Sequence, residues 1–160
     1  MASLHDLYDL YAADVYRFAL YLSGNRAEAE DITADTFVRL WTAPGGIRLP
    51  TVKAYLFTIA RHLHLDRRRA QARLTRLDPA LPSAAQSAED RVAVQSEMDH
   101  VRRAIHRLAE GDRAALLMRT GGLAYEEIAL ALGISVGAAK VRVHRARKRL
   151  MGSQAKEFST

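Results

Sequence analysis

Cysteine is absent from the 160 residues, which excludes disulfides and thiolate metal sites. Aromatic residues make up only 7%, and there are only 9 glycines and 4 prolines. Strands usually announce themselves by Val, Ile and aromatic alternation bounded by turn residues, so this scarcity favours an all-helical protein. No apolar run approaches the roughly 20 residues that cross a bilayer. The N-terminus, MASLHDLYDLY, is acidic rather than basic and then apolar, as a secretory signal would be. The expectation is a soluble, cytoplasmic chain without membrane insertion. Also missing are a Gly-rich phosphate loop, a metal cluster and a nucleophile–base constellation, so an enzyme has almost no support. His62 and His64 come nearest to a metal pair, but a spacing of two puts them on different helix faces. No metal and no cofactor is expected.

What is present is apolar content and positive charge. An apolar fraction of 49% suffices for one core or two small ones. The net charge of +6 points to a polyanionic partner. The charge is uneven. Between Met1 and Leu40 the acids Asp6, Asp9, Asp14, Glu28, Glu30, Asp31 and Asp35 outnumber Arg17, Arg26 and Arg39. Further on, Arg61, Arg67, Arg68, Arg69, Arg73 and Arg76 face only Asp66. Such asymmetry suggests an acidic surface for one partner and basic surfaces for another.

Leu4, Leu7, Tyr8, Tyr11, Val15, Phe18 and Leu22 recur at helical spacing, so a first helix is expected from Ser3 to Ser23, stopped by Gly24. Asn25 can cap a second, with Glu28 at the capping-box position. It places Ala29, Ile32, Thr36 and Leu40 on one face and Asp31, Asp35 and Val38 on another, with Phe37 and Trp41 between. The run APGGIRLP reads as a loop. A third helix starts near Thr51, with Val52, Tyr55, Leu56, Ile59 and Leu63 as its buried stripe. Lys53, Arg61, His62, Asp66, Arg67 and Arg69 are left outside. Its Arg-rich end is expected to fray into a flexible linker over residues 73–96, where Pro79 and Pro82 forbid a continuous helix. A second domain then covers residues 97–151, with a helix ending at Gly111 and the next capped by Asp112, followed by a polar tail, 152–160.

The most informative stretch is LAYEEIALALGISVGAAKVRVHRARKRL, which reads as a helix-turn-helix. Ile128, Ala129 and Leu132 line a first helix, Gly133 can take the positive φ of an abrupt stop, and Ser135 can cap the next. On that second helix Ala139, Val143, Ala146 and Leu150 form one buried stripe. Lys140, Arg142, His144, Arg145, Arg147, Lys148 and Arg149 occupy the other faces, with no acid among them. A basic helix held at a fixed angle by a tight turn is the geometry that enters a DNA major groove.

Three segments now stand in order: AEAEDITADTFVRLW, AYLFTIARHLHLDRRR and YEEIALALGISVGAAKVRVHRARKRL. Together they resemble the extracytoplasmic-function sigma factors of bacterial RNA polymerase, over nearly the whole chain except the linker. The resemblance implies an all-α protein of two small helical domains, region 2-like over residues 1–72 and region 4-like over 97–151. It would bind core RNA polymerase and promoter DNA, help open the duplex, and answer to a cognate anti-sigma factor.

By the same resemblance, Asp31, Asp35, Phe37 and Trp41 dock on the polymerase. Lys53, Arg61, His62, Asp66 and Arg67 capture the separated strand of the minus-ten element, a step that spends unpairing energy on pocket and phosphate contacts. Lys140, Val141, His144 and Arg145 face bases of the minus-thirty-five element, while Arg142, Arg147 and Lys148 touch phosphates. The chain departs from the family at His62, where Asn is common, at Tyr55, where Trp is frequent, at Val141, whose place is often polar, and at Ala124, which replaces a capping Ser. The competing reading is a stand-alone helix-turn-helix transcription regulator, which would bind a duplex site without polymerase.

Overall fold

The protein is described by a computed structural model that covers residues 3–42, 51–80 and 97–158. The expected loop at 43–50 and most of the expected linker lie outside the described residues. Among those described there is no strand, and seven helices follow one another. They are α1 (Leu4–Ser23), α2 (Arg26–Thr42), α3 (Val52–Leu77), α4 (Glu97–His106), α5 (Glu110–Thr120), α6 (Tyr125–Leu132) and α7 (Val136–Phe158).

Short polar side chains and glycines set the boundaries. Ser3 and Asp6 exchange side-chain-to-backbone hydrogen bonds of 3.1 Å each, closing a capping box at the start of α1. Gly24, at φ 71°, ends α1 by donating to the Leu20 carbonyl. The Asn25 side chain accepts from the Glu28 amide at 2.9 Å, and Thr51 accepts from Ala54 at 3.1 Å, starting α2 and α3.

Three boundaries differ from expectation. The arginine-rich end of α3 does not fray: the helix runs to Leu77, because Ala70, Gln71, Ala72, Arg73 and Leu74 are good helix formers and nothing interrupts them before Pro79. Helix α7 likewise continues to Phe158, through the expected tail. Helix α4 ends at His106 rather than Gly111. The buried guanidinium of Arg113 accounts for this stop, taking the carbonyls of Ile105, His106 and Leu108 at 3.2, 2.6 and 2.8 Å and so satisfying the last acceptors of α4. Asp112 therefore caps nothing. It lies inside the first turn of α5, whose N-cap is Ala109.

Val15, Phe18, Ala19 and Leu22 of α1, Ala29 and Ile32 of α2, and Leu56, Ala60 and Leu63 of α3 fill the N-terminal half. Met118, Leu123, Ile128, Ala139, Val143 and Ala146 fill the C-terminal half. The two halves are packed against each other, and their cores are continuous. Phe57 lies flat on Phe18, ring centroids 4.6 Å apart, and reaches across to Gly121, where an added Cβ would fall 2.5 Å from its ring. Arg113 donates to the Leu22 carbonyl at 3.0 Å, tying α5 to the end of α1.

Candidate nucleic-acid and polymerase interfaces

The helix-turn-helix is built as its residues dictate. Gly133 at φ 67° turns the chain out of α6, Ile134 donates back to the Ala129 carbonyl at 3.0 Å, and Ser135 accepts from the Ala138 amide at 3.0 Å. Ala124 cannot cap α6 with its side chain, so only the Glu127 half of a capping box remains, at 2.9 Å to the Ala124 amide. With Ala139, Val143 and Ala146 fully buried, α7 presents Val141, His144, Arg145 and Lys148 outward. These border one shallow groove with Tyr125, Lys140 and Arg147.

Two cations flank the Tyr125 ring, Arg119 at 4.4 Å and Lys140 at 5.7 Å from its centroid. The Lys140 ammonium is thus steered toward α6 by the ring's negative face. Arg145 is held more firmly. Its Nε and Nη2 each lie 2.7 Å from a carboxylate oxygen of Asp112. That paired contact holds the Asp112 carboxyl below the usual carboxylate range and raises the Arg145 guanidinium. Arg142 packs its guanidinium over Gly111 at the start of α5.

The residues expected on α3 fall on different faces. Lys53, Phe57, Arg61 and His64, at steps of four, four and three, share the face turned to the C-terminal half. There the Lys53 ammonium donates to the Gly121 carbonyl at 2.9 Å and lies 3.4 Å from Asp14. Arg61 makes two 2.9 Å bonds to the Glu110 carboxylate. Neither is left outside, as the sequence had suggested. Thr51 donates to Glu127, a further link between the halves. His64 is buried, with Nδ1 3.1 Å from Glu28 and no partner for Nε2 among the described residues. His62 and Asp66 lie on the opposite, exposed face, where Asp66, Arg69, Arg73 and Arg76 line a shallow basic groove. Partial burial, reinforced by Arg61, depresses the His62 imidazole. Arg67 turns sideways to Asp31 and Asp35, at 3.6 and 3.3 Å.

The four residues expected to meet the polymerase also separate by depth. Phe37 is buried, edge-on against Tyr8 at 5.0 Å, and forms the floor of a groove between α1 and α2. Trp41 stands out from the groove's rim, 73% exposed, with Val38 beside it at 54%. Asp31 and Asp35 stand beside the groove, on the face of α2 that they share with Val38, where Arg67 reaches them. Sequence reasoning missed Tyr125, Asp112 and Glu110, because each acts on a residue distant in the chain. Tyr125 alone carried a local signal, as an aromatic opening α6. Among the described residues no group of three or more His, Asp or Glu could hold a metal ion, and no helix is long and apolar enough to cross a membrane.

These features define a two-domain, all-α transcription protein with a helix-turn-helix in its second half. Comparison with known proteins gives the family. Residues 7–74 match the sigma-70 region 2 model and residues 99–150 match the model for sigma-70, region 4. The ECF RNA polymerase sigma factor SigL of Mycobacterium tuberculosis is 34% identical over 161 residues, covering 93% of this chain and 87% of that protein. SigE of Mycolicibacterium smegmatis is also 34% identical, over 99% of this chain but 64% of its own length. Among solved structures, the sigma factor RpoE of Bartonella quintana, in complex with the anti-sigma factor NepR, superposes with a TM-score of 0.79 at 25% identity over 94% of this chain and 96% of that one. The chain belongs to the ECF sigma factors, the alternative sigma factors that direct transcription initiation by RNA polymerase.

Proposed function

We propose that residues 1–72 of this sigma factor engage core polymerase and the minus-ten element, and that residues 97–151 read the minus-thirty-five element through α7. The observation that carries this reading is the outer face of α7. It is a run of exposed cations without an acid, fixed by the Gly133 turn and backed by a fully buried stripe. Lys140, Val141, His144 and Arg145 meet base edges there, with Val141 suited only to an apolar group such as a thymine methyl. Arg142, Arg147 and Lys148 neutralise phosphates. In the N-terminal half, Trp41, Asp31 and Asp35 contact the polymerase around the Phe37 floor. The strand of the opened minus-ten element meets α3. The protein itself makes and breaks no covalent bond.

The packed arrangement of the halves is, on this reading, a storage form. Elements centred near minus ten and minus thirty-five lie about 25 base pairs apart, or about 85 Å along a duplex. A compact chain of this length has a radius of gyration of about 15 Å, so it is only about 40 Å across. It cannot touch both elements while packed. The 16 residues between Ala80 and Glu97 give the chain about 55 Å of reach, enough with the bodies of the two halves to span the distance. Opening also releases Lys53 and Arg61, which the C-terminal half now holds. An anti-sigma factor that clasps both halves would stabilise the stored form; the Bartonella sigma factor is seen in complex with an anti-sigma factor.

The test is transcription from a broad promoter pool by sigma-free bacterial core polymerase, with and without this chain. Discrete start sites that depend on the protein are expected. Tight duplex binding by the protein alone, with no core binding and no initiation, would favour the stand-alone regulator.

A further inference from the structure

We propose that Asp112 is a positioning residue for promoter selection, holding Arg145 side-on so that the free end of its guanidinium is aimed at one guanine of the minus-thirty-five element. This rests on the reading of Arg145 as a base contact and names what orients it.

The geometry is specific. A guanidinium carries five N–H groups in a rigid plane. The Asp112 carboxylate takes one from Nε and one from Nη2, both at 2.7 Å. That uses the inner edge of the fork. The end-on edge, one N–H each from Nη1 and Nη2, remains as a parallel donor pair, the arrangement that matches O6 and N7 of guanine in the major groove.

The burial of the two partners is unequal in the sense this role requires. The Asp112 side chain is 4% exposed and the Arg145 side chain 50%. Here the anchor is inside and the reader emerges on the groove, between Val141, His144 and Lys148.

The cations around the anchor sharpen the argument. Arg142 and Arg149 also bear electrostatically on Asp112, yet the paired contact goes to Arg145, and Arg142 lies over Gly111 instead. Asp112 thus singles out one arginine of the three on that flank of α7. An arginine fixed before binding has less freedom to lose on binding, which favours the correctly placed guanine over other bases by about fivefold.

The experiment uses the full chain with core polymerase on promoters whose minus-thirty-five element is randomised, the transcribed templates being identified by sequencing. Wild type, Asp112→Asn, Arg145→Ala and the double variant are compared, each checked by thermal melting. Arg145→Ala is expected to erase a guanine preference at one position. Asp112→Asn should relax the same position about fivefold while leaving the others unchanged, and should add nothing in the Arg145→Ala background. The proposal is overturned if Asp112→Asn lowers output evenly at all positions, lowers only the melting temperature, or adds its loss to that of Arg145→Ala. If Arg145→Ala leaves every position unchanged, the base-reading assignment fails as well, an outcome distinct from the others.

Discussion

The bond pair between Arg61 and Glu110 offers the most direct handle on the packed state. Glu110→Ala removes the acceptor of two 2.9 Å charge-assisted hydrogen bonds between α3 and α5 and leaves the guanidinium without a carboxylate. The side chains are only 14% and 29% exposed, so solvent screening is limited. The lost interaction is nonetheless part replaced by water once the halves part. A cost of about 2 kcal/mol to the packed state follows for a charged pair in this setting, equivalent to a shift of about thirtyfold toward the open form. Lys53 on Gly121, Arg113 on Leu22 and Phe57 against Gly121 are untouched, so a packed fraction persists. Because the chain has no cysteine, Leu10→Cys on α1 and Glu126→Cys on α6, both at exposed positions, supply the only two thiols for a distance-reporting dye pair. In this background Glu110→Ala is expected to move population from a single short distance to a broad long one. An unchanged distribution, with the fold intact by circular dichroism, would refute the view that this pair holds the halves together.

Other expectations follow from the same contacts. Gly121→Ala puts a methyl 2.5 Å from the Phe57 ring and 3.2 Å from the Leu117 carbonyl, and the overpacking should cost about 1–3 kcal/mol, read as a lowered melting temperature. Burial depresses the His62 and His106 imidazoles, with Arg61 adding to the first and Arg113 to the second. The unfolded chain therefore takes up protons first as the pH falls through about 6.5, and stability should decline there and recover above it. Thermal melts across that range check the sign, and His106→Gln should flatten the slope. Trp41→Ala removes a side chain that is 73% exposed, so the melting temperature should hardly change. Its affinity for core polymerase should fall by about 2 kcal/mol, the scale of a central aromatic contact, as measured by titration.

The caps show why so much of the fold is legible from sequence. Gly24 with Asn25, Thr51, and Gly133 with Ser135 each act on backbone groups within four residues, so local spacing predicts them correctly. The arginine-rich end of α3 misleads for an opposite reason. Its composition resembles a frayed end, yet no residue before Pro79 opposes a helix. The junction of the halves is illegible. The face of α3 that makes it carries Lys53, Arg61 and His64 beside Phe57, and in the sequence such a face looks solvated. Its partners, the Glu110 carboxylate and the Gly121 carbonyl, lie 49 and 68 residues away. Asp112 escapes notice for the same reason, being 33 residues from Arg145. At the start of a helix an acid also invites the nearer explanation, a cap. On α7 the division into an inner apolar stripe and an outer basic face lies within one helix, so the helical period predicts it.

The face of α3 that carries Lys53 and Arg61 has an evolutionary consequence. On the reading above the same two cations hold the halves together at rest and meet nucleic acid when the halves part, so a substitution at either changes both properties at once. Glu110, the partner of Arg61 across the junction, has no such double duty, whereas Gly121 offers Lys53 only a backbone carbonyl and is kept free of a side chain by Phe57. Drift can retune how readily the protein leaves its resting form by changing Glu110 while promoter preference is preserved. Related chains responding to different signals should therefore diverge at the position of Glu110 more freely than at those of Lys53 and Arg61.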